Sequence, residues 1–250
     1  AQRPRQTGKA SGCCDKITLS HTEPVDPMLT VDQIEVMLRM QQSMNSKVDP
    51  DWKQARYPYL RAVVIEGAEA IEHHGWKWWK KQELDRAQLQ MELIDIWHFI
   101  LSEMILRHGD GSDAGAREAL LSAISEISVT HELQFDGSTY RLDVLSLLEK
   151  IELLIGLSAA RRIEIAVFAS IMTDCQLNWT ELFRQYVGKN VLNFFRQDNG
   201  YKEGTYRKLW SGREDNEVLV DILQSLDANQ PDFKNAIYTS LQVAYNRTEE

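Results

Sequence analysis

Two short acidic patterns in this 250-residue chain could do chemistry: Glu66-x-x-Glu69 and Glu92-x-x-Asp95. Residues three apart on a helix lie side by side, so each pair aims two carboxylates the same way. Both pairs fall among apolar neighbours that read as helix. Four carboxylates facing one another across two packed helices repel unless cations lie between them, and buried charges are paired or bind metal. The arrangement suits a hard divalent cation such as Mg²⁺, which takes oxygen ligands, keeps waters and shares its shell with phosphate. Glu66 and Glu69 taken alone also fit a solvated helix face. Glu92 and Asp95 fit it poorly, because the helix that carries them has almost no polar side left. Glu72 reads as surface. His73 sits at a helix C-terminus, where an imidazolium is favoured anyway. His98, three residues after Asp95, reads as a core histidine, either backing a ligand or simply packed, rather than a ligand itself.

A second constellation runs from Gly188 to Lys208. On a helix, Lys189, Asn193 and Arg196 share one stripe, with Leu192 and Phe195 on its apolar side. Asn199, Tyr201, Lys202, Tyr206 and Lys208 follow on a segment punctuated by Gly200 and Gly204. Cations and amides gathered this densely suit a phosphate chain; an amphipathic helix followed by an exposed turn is the plainer reading. A third group, Trp76, Trp78 and Trp79 beside Lys80 and Lys81, offers a ring that could stack on a nucleobase. Closing the core or a subunit contact is the plainer use for at least two of these rings.

The elements that must hold these groups read as helices. Thr30 caps a first helix with Ile34, Met37, Leu38 and Met40 at helical spacing, fading near Asn45. A second starts around Pro58, points Leu60, Val63, Val64, Ile65, Ala68 and Ile71 inward and stops at Gly75. A third, about Asp85 to Arg107, is apolar nearly all round, which predicts a central helix. His108 to Gly115 reads as a loop, then a helix from Ala116 to about Val129 and a turn near Asp136-Gly137-Ser138. Leu142–Leu157 and Arg162–Val187, continuing through Lys189 to Arg196, read as further helices. A helix over Asp215–Leu226 and a short one through Tyr245 after Pro231 complete the reading. No alternating strand pattern stands out, so an all-α fold is expected: a multi-helix bundle with a central buried helix carrying the metal-binding carboxylates. The expected organisation is a flexible arm over 1–29, one catalytic domain over 30–226 and a C-terminal extension over 227–250.

Bulk composition narrows the classes. With 43% hydrophobic and 26% charged residues the chain resembles an ordinary soluble protein. No apolar run approaches the length of a membrane span. A net charge of −9 argues against nucleic-acid binding through a basic surface. Cys13, Cys14 and Cys175 form neither a disulfide framework nor a metal-ligand spacing, which points to an intracellular, reducing compartment, cytoplasm or nucleus. Arg3, Arg5 and Lys9, with no acid before Asp15, leave mitochondrial targeting open.

Taken together these residues resemble the dimeric all-α dUTPases of trypanosomatid, bacterial and phage type, within the all-α NTP pyrophosphatases that include the MazG-like proteins. The resemblance spans about Val31 to Leu226. It rests on Glu66-Gly-Ala-Glu69, the Trp-Lys-Trp-Trp-Lys segment, Glu92-Leu-Ile-Asp95-Ile-Trp-His-Phe99 and Lys189-Asn-Val-Leu-Asn193-Phe-Phe-Arg196. It continues through Asn199-Gly-Tyr-Lys202, Gly204-Thr-Tyr-Arg-Lys208-Leu-Trp210 and Glu214-Asp215-Asn216, with Met40-Gln41-Gln42-Ser-Met-Asn45 similar to the uracil-side motif. The acidic pairs are shared by the whole superfamily, whereas the Asn-Gly-Tyr-Lys run is far more specific to dUTPases.

The resemblance implies that Glu66, Glu69, Glu92 and Asp95 bind Mg²⁺ ions, with Glu66 or Glu69 also polarising the attacking water. It implies Lys189, Arg196, Asn199, Tyr201, Lys202, Lys208 and Asn216 for the phosphates and sugar, and Gln41, Asn45 and one of Trp78 and Trp79, here assigned to Trp79, for uracil. The implied protein is a homodimer that converts dUTP to dUMP and pyrophosphate, also accepts dUDP, and uses neither nucleic acid nor membrane. Alternatives are a broader MazG-like pyrophosphatase, a carboxylate di-iron bundle, which wants Glu-x-x-His pairs absent here, and a non-catalytic helical scaffold.

Overall fold

The computed structural model describes residues 28–109, 114–227, 230 and 232–247. Its first helix, α1 (Val31–Val48), begins at a reciprocal cap: the Thr30 hydroxyl accepts from the Gln33 amide at 3.2 Å, and the Gln33 side chain accepts from the Thr30 amide at 2.9 Å. A single short turn of helix, α2 (Trp52–Ala55), leads to α3 (Tyr59–His74), which starts after Pro58 and closes at Gly75. Asp85 caps α4 (Arg86–His108) by accepting from the Gln88 amide at 3.1 Å.

Beyond α4 come α5 (Ala114–Ser125), a hairpin of β1 (Glu132–Phe135) and β2 (Ser138–Arg141), α6 (Leu147–Ala159), α7 (Ile165–Asp174) and the long α8 (Trp179–Asp198). A second, two-residue hairpin of β3 (Leu209–Trp210) and β4 (Arg213–Glu214) precedes α9 (Asp215–Ser225) and α10 (Phe233–Asn246). Among the described residues no helix is long and apolar enough to cross a membrane.

The fold is all-α around α4. Leu93, Ile94, Ile96, Trp97 and Leu101 are buried on several sides of that helix because α1, α3, α5 and α8 all pack against it. Trp97 lies stacked on Phe168 of α7, 5.1 Å between ring centres, tying the middle of α4 to the second half of the chain. Between its glutamates α3 carries Gly67, where a Cβ would come within 2.7 Å of the Ile155 side chain; α6 therefore packs close against the back of the helix that presents Glu66 and Glu69. α10 packs on α8 and α9, with Phe233, Ile237 and Leu241 joining the same core.

Several expectations need correction. The helix foreseen over Arg162–Val187 is two helices, broken at Cys175–Asn178: Gln176 is left-handed at φ 58°, and Asn178 caps α8 by accepting from the Glu181 amide at 2.7 Å. α8 then runs unbroken through Lys189 and Arg196. The helix expected from Leu142 starts at Leu147 behind a Ser146 cap, and the one expected to reach Val129 ends at Ser125. Two hairpins stand where no strands were foreseen; at the first, Asp136 and Gly137 at φ 49° and 75° form the tight reversal that a right-twisted hairpin needs. On α3 the inward face is Leu60, Val63, Gly67 and Ala70, whereas Ile65 and Ala68 are exposed and Val64 is half-buried. The neighbours α4 and α6 cover a narrower stripe than the apolar content of α3 suggests. The arm with Cys13 and Cys14, Pro231, and residues 110–113 of the loop foreseen over His108–Gly115 lie outside the described residues, and α5 already begins at Ala114.

Candidate active site

Helices α3 and α4 lie alongside each other and turn their acids into one cavity of about 640 Å³. Carboxylate oxygens of Glu66, Glu69 and Glu92 all lie within 4.8 Å of one another, with Glu69 exposed, Glu66 half-buried and Glu92 buried. Burial, and next the charge of Asp95, pushes the Glu66 carboxyl up to about 7 and the Glu92 carboxyl up to about 8. Two acids so reluctant to ionise are short of nearby positive charge. The donor set, three oxygens within reach of one ion, fits a hard divalent cation. His73 reaches Glu92 at 3.3 Å from the last turn of α3.

Asp95 lines the same cavity but is drawn to the far wall, where the Lys189 ammonium lies 2.7 Å from it. Lys189 is almost wholly buried and also donates to Asn216 at 2.8 Å. Next to it the Arg196 guanidinium grips Asp215 through two bonds of 2.8 Å and reaches Asn216 at 3.2 Å. Asp215 is fully buried at the start of α9 and also accepts from the Tyr206 hydroxyl at 2.7 Å. Burial alone would raise its pKa; the bonds and charge of Arg196, helped by Tyr206, hold it below the usual carboxylate range. Burial works against the Arg196 charge too, yet Asp215 keeps the guanidinium firmly protonated. Lys208 enters the cavity beside Glu214, 3.5 Å away, and the Tyr201 ring sits 5.9 Å from the Arg196 guanidinium. One wall of the cavity is thus acidic and the opposite wall cationic.

A second cavity, of about 410 Å³, adjoins the first, and Asp95, Arg196 and Tyr201 line both. Its walls are largely apolar and aromatic, from Met44, Trp52, Tyr59 and Phe99, with Gln41, Asn45 and His98 supplying polar groups. Gln41 donates to the Asn45 carbonyl at 3.0 Å and to Ser102 at 2.9 Å, Asn45 donates to Ser102 at 3.0 Å, and the Tyr186 hydroxyl donates to Gln41 at 3.0 Å. The two amides are therefore locked in orientation. His98 bonds the Ile94 carbonyl through Nδ1 at 2.8 Å, while its buried Nε2 has no partner among the described residues. Burial lowers its pKa to about 4, so the ring is neutral.

Of the residues singled out in the sequence, Glu66, Glu69, Glu92, Asp95, Lys189, Arg196, Tyr201, Lys208 and Asn216 meet at the first cavity, and Gln41 and Asn45 at the second. Three stand apart. Asn199 caps α8, its amide donating to the Phe195 carbonyl at 2.8 Å. Lys202 donates to the Val48 carbonyl at 3.2 Å. Trp79, 60% exposed, packs with Trp76 and Trp78 and lines neither cavity. The sequence offers Asp215 and Tyr206 only as parts of a longer pattern, and in it His98 reads as a core histidine that backs a ligand or simply packs. The stripe Asp95, His98, Phe99 at helical spacing is the available signal for the last, since residues three and four apart share one face.

A helical protein that sets clustered carboxylates across from a buried Lys–Arg pair, beside an aromatic, amide-bearing cavity, has the parts of a nucleotide hydrolase. The family model described as dUTPase matches residues 33–201, well over half of the chain. The chain belongs to the all-α dUTPase family and is a dUTP diphosphatase, which sets aside the di-iron and scaffold alternatives. No curated protein matches it.

Proposed function

We propose that the chain hydrolyses dUTP to dUMP and pyrophosphate, and accepts dUDP, with the phosphates in the acid-and-cation cavity and the nucleoside in its neighbour. The observation that carries this reading is the junction of the two cavities at Asp95, Arg196 and Tyr201, where a sugar could join base to phosphates. Glu66, Glu69 and Glu92 would hold Mg²⁺, with Asp95 joining them once Lys189 turns to phosphate. When bound, Mg²⁺ neutralises phosphate charge and lowers the pKa of a coordinated water. Glu66 or Glu69 would orient the attacking water and accept its proton. Lys189 and Arg196, held in place by Asn216 and Asp215, would grip the phosphate oxygens, with Tyr201 and Lys208 closing the outer side. In the second cavity the locked Gln41 and Asn45 amides would face the uracil edge, and Phe99 its ring.

A pyrophosphate-release assay over deoxynucleoside triphosphates tests the base assignment. A fitted pocket rejects an added methyl by roughly ten- to two-hundredfold and a mismatched hydrogen-bond pattern by far more. Hydrolysis of dUTP is accordingly expected to exceed that of dTTP and dCTP in kcat/KM, and Gln41→Leu to erase most of that preference. A Gln41→Leu protein that keeps full uracil preference refutes the placement of the base.

The metal reading has a signature in stability. The glutamates titrate near 4.5 in the unfolded chain, but at about 7 for Glu66 and 8 for Glu92 in the fold. The folded state thus holds protons more tightly, a contribution complete below about pH 4.5 and lost as pH rises through 7 and 8. Chelator-treated protein should melt at a lower temperature at pH 8.5 than at pH 6, and added Mg²⁺ should restore more at the higher pH. Melting that ignores both pH and Mg²⁺ over this window contradicts the assignment.

A dimer is the assembly we propose, with Trp78, 85% exposed, and Trp79 on a surface suited to a subunit contact. We place the protein inside the cell.

A further inference from the structure

Helix α10 brings one side chain to the back of the cationic wall. Tyr245, half-buried in its last turn, lies with its ring nearly parallel to that of Tyr206, 5.5 Å between centres and 3° between planes. That is the offset stack aromatic pairs favour. The Tyr206 hydroxyl donates to Asp215 at 2.7 Å, and Asp215 holds the Arg196 guanidinium through two bonds of 2.8 Å. A chain of direct contacts thus runs from α10 to an arginine at the junction of the two cavities, although Tyr245 lines neither.

Tyr245 is itself firmly held. The Arg207 guanidinium sits 4.5 Å from its ring centre and donates to its carbonyl at 3.2 Å, and the Arg207 amide donates to its hydroxyl at 3.4 Å. The rings of Trp210 and Phe195 meet it edge-on, each at 5.4 Å, and Phe195 is the chain neighbour of Arg196 on α8. Tyr206 lacks a comparable backbone frame. Its segment leaves α8, turns at Gly200 and Gly204 with φ 86° and 73°, and becomes regular again only at the two residues of β3. With no helix or long ladder beneath it, the direction of the Tyr206 hydroxyl depends on what its ring packs against.

We infer that Tyr245 is a positioning residue for dUTP hydrolysis: its stack on Tyr206 fixes the hydroxyl that helps hold Asp215, and so keeps Arg196 aimed at phosphate. The inference rests on the reading that Arg196 grips phosphate, and it makes the C-terminal extension expected over 227–250 part of the catalytic unit. The test is calorimetric binding of dUMP and of 2′-deoxyuridine, with Mg²⁺, to the parent, Tyr245→Phe, Tyr245→Leu, Tyr206→Phe and Arg196→Met. Tyr245→Phe keeps the stacked ring and should match the parent. Tyr245→Leu should bind dUMP about threefold to tenfold more weakly, the worth of one aromatic pair, and 2′-deoxyuridine as before. Its kcat/KM for dUTP should fall alongside. Tyr206→Phe keeps the stack but loses the hydroxyl, so it should weaken dUMP to a similar degree. Adding Tyr245→Leu to it should then cost dUMP little more, yet lower the melting temperature as much as it does in the parent. A ring that serves only the core would lower the melting temperature and leave the ratio of the two affinities at its parental value. That result overturns the inference, as does parental dUMP affinity in Tyr206→Phe, an arm that does not depend on how Tyr245→Leu folds. If Arg196→Met also binds dUMP like the parent, the phosphate reading itself has failed and the inference falls with it.

Discussion

Glu69→Gln is expected to fold and melt like the parent while hydrolysing dUTP at least about a hundredfold more slowly, the order of loss when one preorganised electrostatic group is removed. Glu69 is exposed, and its carboxylate lies within 4.8 Å of those of Glu66 and Glu92. The substitution therefore removes the charge of a proposed metal ligand without opening a hole. Glu92→Gln makes a useful companion. It copies the protonated carboxyl that burial already favours below about pH 8, so metal-free protein should be as stable as the parent at neutral pH, and inactive. Asp95→Asn is less clean, because it also weakens the hold on the buried Lys189 ammonium 2.7 Å away. Steady-state kcat with Mg²⁺, read beside a thermal melt, separates these cases. A Glu69→Gln protein with near-parental kcat would remove Glu69 from the metal set and leave Glu66 as the group that handles water.

The acids are legible in the sequence because their cost is visible there. A helix with Leu93, Ile94, Ile96 and Trp97 around Glu92 and Asp95 has no solvated face to offer, so the residue pattern by itself demands partners for the two charges. How they divide is not legible: Glu92 joins Glu66 and Glu69, whereas Asp95 leans toward Lys189, a choice set by how α8 lies across α4. The break between α7 and α8 is hidden because Cys175-Gln-Leu-Asn178 contains neither Gly nor Pro; its trace is the cap pattern of Asn178 followed three residues later by Glu181. The first hairpin is announced by Asp136-Gly137, but strands of four residues are too short for alternation to stand out.

Asp215→Ala should destabilise the protein by about 3–5 kcal/mol, the range for removing one partner of a buried ion pair. The Asp215 side chain is fully buried and that of Arg196 is 11% exposed, so the orphaned guanidinium has little water to turn to. Tyr206 loses its acceptor in the same step. Nothing local in Glu214-Asp215-Asn216 announces this role, since an acid at the start of a helix is expected there for its dipole alone. A double variant, Asp215→Leu with Arg196→Met, removes both charges together and should regain most of the lost stability, because buried ion pairs replaced by apolar side chains are often neutral. Its dUTP hydrolysis should stay low, with Arg196 gone from the junction of the two cavities. Denaturant midpoints and kcat/KM for the single and double variants thus separate two uses of one contact: Asp215 holds Arg196, and Arg196, as proposed, holds phosphate. If the double variant recovers activity along with stability, Arg196 is a structural arginine, and the phosphate grip falls to Lys189 and Lys208 alone.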